Sequence, residues 1–191
     1  QVNHPGLPGY VSTSTPAGLS HYEPSSTALN EARQLARSFR YWAMPQNQGA
    51  PLHGLFLMGS LGTLAQTEGS DMDLWLCHDP ALDEAALDLL RRKARAIESW
   101  AASQGAELHV FLVDPARFAS GRRDAELSGE DCGRSQHYLL LDEFFRTALW
   151  LGGRTPTWWL VPAEQEERYP AYVAALRERG LVTVAVDGRL G

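Results

Sequence analysis

Phe56-Leu57-Met58-Gly59-Ser60, ten intervening residues, then Asp71-Met72-Asp73-Leu74-Trp75-Leu76 is the stretch that decides the fold. It reads as an apolar strand ending in Gly-Ser, followed by a second apolar strand with carboxylates at i and i+2. Side chains alternate along a strand, so Asp71 and Asp73 emerge on one face. Two carboxylates held together on an apolar strand repel each other and resist desolvation unless a cation lies between them. Oxygen-only ligands suit Mg²⁺ or Mn²⁺, which keep waters and take substrate phosphates as further ligands. The pattern points to metal-assisted chemistry on a nucleotide.

Outward from this core the chain alternates elements. Residues 1–25 hold four of the eleven prolines among glycine, serine and threonine, an irregular lead segment. Leu29, Ala32, Leu35, Ala36 and Phe39 recur at helical spacing, which predicts a helix over 26–43. Leu52 to Met58 is the first strand and Asp71 to Cys77 the second. Leu87, Leu90, Ala94, Ile97 and Ala101 form one stripe of a long helix over 82–104, stopped by Gly105. Leu108 to Val113 is the third strand. A polar connection, 115–135, leads to a helix over 136–150 that Ser135 caps and Gly152-Gly153 stops. A fourth strand over 157–161 and a helix over 163–179 complete the pattern. The order gives a mixed α/β domain over 26–191.

The formal charge of -6 and pI near 5.5 argue against a general nucleic-acid binder, which shows a basic face. The two cysteines, Cys77 and Cys132, lack the spacing of a zinc site and read as reduced thiols of a cytoplasmic protein. No run approaches the ~18 apolar residues of a membrane span. The chain opens on Gln1 rather than Met and is expected to be a piece of a longer protein.

Each candidate site residue has a bland alternative. Glycine permits close backbone approach to an anion, and an amide with the Ser60 hydroxyl can hold a phosphate. A Gly-Ser pair alone is more often a plain turn. After an apolar strand and ahead of Asp-x-Asp, Gly59-Ser60 instead matches the nucleotidyltransferase pattern. A third carboxylate is expected on the neighbouring strand, where Glu107 fits best; the alternative is an exposed strand end. His109 shares the face of Glu107 and suits a group that orients a metal ligand or handles a proton. Trp75, two residues past Asp73, shares the carboxylate face and either lines the site for a base or packs in the core. Arg146 and Arg154 are phosphate-contact candidates, since guanidinium forks pair with phosphate oxygens, although helical arginines mostly make surface ion pairs.

With these pieces assembled, the chain resembles the N-terminal catalytic region of bacterial class I adenylate cyclases. The resemblance rests on Met58-Gly59-Ser60, Ser70-Asp71-Met72-Asp73 through His78, Glu98-Ser99-Trp100-Ala101-Ala102-Ser103, Gly129-Glu130-Asp131-Cys132-Gly133, Gln136-His137 through Phe144, and Val161-Pro162. It implies a polymerase-β-like nucleotidyltransferase fold, a small mixed sheet flanked by helices. It also implies ATP as substrate and 3′,5′-cyclic AMP and pyrophosphate as products, with two Mg²⁺ or Mn²⁺ ions. It places metal ligands on Asp71 and Asp73 and phosphate contacts on Gly59, Ser60, Arg146 and Arg154, while Glu107 as third ligand rests on the strand reading above. For a full-length protein it implies a C-terminal regulatory region linked to sugar-uptake signalling proteins. One departure is Leu61 to Thr67, which has fewer hydroxyls than the family's segment. Two other readings use the same residues: transfer of AMP to a separate acceptor, and a non-catalytic ATP-binding regulatory module.

Overall fold

The computed structural model describes residues 2–42, 49–58, 71–119, 143–144, 146–156 and 161–180. Its frame is a four-stranded mixed sheet of order β3-β2-β1-β4. The strands are β1 (Leu52–Met58), β2 (Met72–His78), β3 (Leu108–Val113) and β4 (Leu149–Gly153). β1 runs antiparallel to β2 and to β4, whereas β2 and β3 are parallel. Parallel neighbours need a crossover, supplied by α2 (Glu84–Ser103). Asp83 caps that helix, its side chain accepting from the Ala86 amide at 2.8 Å, and Gly105 follows its end at φ +80. Expectation and structure agree on β1 and β3 and differ by one residue at each end of β2.

The sheet has two unlike faces. On one, Leu90 of α2 packs with Leu52 and Leu112, and with partly buried Leu19, Leu76, Leu82 and Leu87. On the other, Phe56, Met58, Trp75 and Val113 join Phe118 and Phe144 in an aromatic cluster. Phe118 belongs to α3 (Pro115–Ala119), which follows β3 directly. The lead segment packs on the frame: Ser20 donates to the Leu52 carbonyl at 2.9 Å, and Lys93 Nζ donates to Val2 O and Asn3 Oδ1.

Three predicted elements differ. The first helix, α1, covers only Ser26–Leu35 and buries no residue of its own. Beyond it Ala36 is extended, and Ala36 and Phe39 are buried, Phe39 edge-on to His4. A continued helix would keep these side chains on one exposed rod; ending it lets them pack on the lead segment. Of the helix predicted over 136–150, residues 136–142 and 145 lie outside the described residues; the described part carries the bonds Thr147 Oγ1 to Glu143 O and Ala148 N to Phe144 O and then gives way to β4. Gly152-Gly153 is therefore part of a strand and does not stop a helix. Gly153 has φ +97, and a Cβ there would stand 2.4 Å from the His53 carbonyl, so only glycine admits this close crossing of β1. The last predicted helix divides into a 3₁₀ turn, Ala163–Arg168, and α4, Tyr169–Glu178. Pro170 lacks the N–H that a continuous α-helix would use there. The predicted strand over 157–161 falls, apart from Val161, outside the described residues, as does Cys132.

Among the described residues, no helix is long and apolar enough to cross a membrane.

Candidate active site

Parallel pairing sets the starts of β2 and β3 side by side. Met72 pairs with Leu108 and Asp73 with His109, and the Met72 amide donates to the Glu107 carbonyl at 3.0 Å. Residues directly opposite share a face, so Asp71, Asp73, Glu107 and His109 form a patch at one end of the sheet. One ligand atom from each of Asp71, Glu107 and His109 lies within 4.8 Å of the others, and all three residues are exposed. His109 Nε2 stands 3.5 Å from Glu107 Oε1. Asp73 sits beside this group, less exposed, and its carboxyl is pushed above the usual carboxylate range. Burial is the main cause, His109 opposes it, and the Asp71 carboxylate adds to it.

The predicted third carboxylate, Glu107, thus stands next to Asp71. The His109 nitrogen falls inside the same small volume as the Asp71 and Glu107 oxygens, so it could meet a cation directly and not only steady a carboxylate. The sequence signal for this was its i+2 spacing from Glu107 on a strand that runs parallel to β2.

Trp75 shares the parity of the aspartates but is only 4% exposed. Its ring stacks on Phe144 at 5.4 Å and 11° and meets Phe118 edge-on at 5.4 Å. It belongs to the core beneath the patch. Arg146 precedes β4 by three residues, and Leu149 pairs with Leu57, one residue from Met58. Met58 in turn pairs with Asp73, so Arg146 enters at the carboxylate end. Gly59 and Ser60, next in the chain after Met58, lie outside the described residues.

The structure does not bring Arg154 to the aspartates. Its amide donates to the His53 carbonyl at 2.7 Å, at the opposite end of β1. Five residues from His53 to Met58 span roughly 16 Å. There Arg154 faces Asp79 and His53, and its Nη1 is buried without a hydrogen-bond partner. The antiparallel return of β4 along β1 carries the two arginines to opposite ends of the sheet.

Carboxylates and an imidazole converge at the paired starts of two parallel strands of a mixed α/β domain, a group that could hold a metal ion. The chain belongs to the adenylate cyclase NT domain family, whose profile matches residues 1–159. It is 42% identical over 184 residues to an adenylate cyclase of Shigella flexneri and 40% identical over 190 residues to one of Yersinia pestis. Each match covers 95% of this chain and 21% of the relative, so the chain spans about a fifth of their length. A solved toxin–antitoxin structure with AMP-PNP shares 19% identity, covering 78% of this chain and 92% of its own, at a TM-score of 0.32.

Proposed function

We propose that this domain is the catalytic N-terminal part of a cytoplasmic adenylate cyclase, with a polymerase-β-like nucleotidyltransferase fold. It would convert ATP to 3′,5′-cyclic AMP and pyrophosphate. The observation that carries the reading is the Asp71, Asp73, Glu107 and His109 patch in a chain of the adenylate cyclase family.

The donor set fits a hard divalent cation. Carboxylate oxygens from the starts of two strands converge on one volume, and the Asp73 carboxyl beside them is raised chiefly by burial, with the Asp71 carboxylate adding to it. Asp71, Asp73 and Glu107 would hold Mg²⁺ or Mn²⁺, two ions in this reading, with His109 as a further nitrogen donor. When bound, the ions supply Lewis acidity toward the ribose 3′-hydroxyl and the triphosphate. The chain's own residues do the rest by position. The rigid β2–β3 pair fixes the carboxylates relative to one another. Arg146 would offset phosphate charge at the same end of the sheet, and Gly59 and Ser60 would bind phosphate oxygens. Trp75 supports the floor of the site from the core. Because the attacking hydroxyl belongs to the same ATP molecule, orienting the ribose is the main catalytic demand. Arg154 has no part in this scheme.

Incubation of the chain with ATP and Mg²⁺ or Mn²⁺, followed by product analysis, tests the reading. Cyclic AMP formed without an acceptor supports it, whereas AMP attached to an acceptor identifies a transferase. Asp73→Asn should abolish turnover with the fold intact, and near-normal activity would remove Asp73 from the site.

A further inference from the structure

β3 is the outermost strand in the sheet order on its side. The Glu107 carbonyl accepts from Met72, so the odd-numbered residues of β3 turn their backbone groups to β2 and the even-numbered ones turn theirs outward. The Val110 amide therefore points to the open edge. It is met there by Glu98 Oε1, which accepts from it at 2.7 Å in a part-buried setting. A carboxylate acceptor makes this a charge-assisted bond, stronger than a neutral one. Glu98 lies on α2, and its bond reaches β3 one residue past His109 and three past Glu107. The apolar anchors between α2 and the sheet, Leu90 against Leu112 and Leu76, grip the later half of the strand. Toward the site end, the Glu98 bond is a polar link from α2 to β3.

We propose that Glu98 is a positioning residue for the cation site. Its side chain ties the middle of β3 to α2 and so fixes Glu107 and His109 opposite Asp71 and Asp73. The proposal rests on the metal reading above and deepens it. Glu98 touches none of the four ligands; it acts through the backbone of the strand that carries two of them. Groups that hydrogen-bond a metal ligand directly change metal affinity by roughly 10- to 100-fold when removed. One backbone bond at a strand edge belongs at the low end of that range.

The test is Mn²⁺ binding to the 191-residue chain, followed by electron paramagnetic resonance, together with amide exchange at Val110. Glu98→Ala should weaken Mn²⁺ binding about tenfold and speed exchange at Val110. Glu98→Gln keeps an acceptor oxygen and should restore both. Unchanged Mn²⁺ binding in Glu98→Ala overturns the proposal. Equal weakening in both variants also overturns it, since the charge and not the bond would then matter. If Glu98→Ala does not fold, Glu98→Gln with slow Val110 exchange but weakened Mn²⁺ binding counts against the proposal, and parental binding supports it. Asp73→Asn separates the two levels. If that variant binds Mn²⁺ like the parent, the metal reading itself fails; if it loses Mn²⁺ while Glu98→Ala retains it, only the role of Glu98 fails.

Discussion

Replacing Trp75 separates a core role from a ligand platform. The side chain is 4% exposed, stacked on Phe144 and edge-on to Phe118. Trp75→Ala would remove the centre of the aromatic cluster at a cost of about 3–5 kcal/mol. Domains are typically stable by only ~5–15 kcal/mol, so that variant would sit near the threshold of folding. Trp75→Phe is the better perturbation. It gives up about 50 Å² of buried ring, or ~1.2 kcal/mol at ~25 cal/mol per Å², and any residual cavity adds to this. Urea unfolding followed by far-ultraviolet circular dichroism, which does not depend on the lost indole, should show a lower midpoint and an unchanged slope. ATP affinity in the presence of Mn²⁺ should stay within about twofold, because the ring contributes beneath the patch and not to it. Unchanged stability with an ATP affinity reduced more than about tenfold would refute this reasoning, since the indole would then serve the base.

Arg146→Ala should weaken ATP binding, whereas Arg154→Ala should leave ATP affinity unchanged and lower stability. Calorimetric titration with ATP and thermal unfolding of both variants check the assignment of the two arginines to opposite ends of the sheet. His53 is held down to about 4 from 6.5, chiefly by burial and then by the Arg154 charge, with Asp79 opposing. Its unfolded form binds a proton at higher pH than its folded form, so stability falls as pH drops from about 6.5 toward 4. The loss is about 3 kcal/mol, and in His53→Asn this part of the pH dependence should vanish from urea titrations.

The strand pair that carries the carboxylates was legible because its signals are local. Alternation of apolar residues with Asp71 and Asp73 marks both the strand and its polar end, and the Leu90 and Ala94 stripe marks α2. The boundaries that failed are those where distant partners outweigh local preference. Trp150 sits in a helical pattern, yet β1 has an open edge, and Gly152-Gly153 can approach it more closely than any residue with a Cβ. Ala36 leaves its helix because burial against the lead segment is available to it.

From sequence alone came the types of group at the site, their spacing along each strand and the family. Period-two alternation is a property of the chain itself and needs no neighbour. Which groups meet was decided by pairing: the parallel register of β2 and β3 sets His109 opposite Asp73 and brings its nitrogen near Asp71 and Glu107. The antiparallel course of β4 takes Arg154 away from them, and packing around Phe144 gives Trp75 to the core. Strand order and direction depend on long-range backbone hydrogen bonds and buried area, which no local stretch encodes.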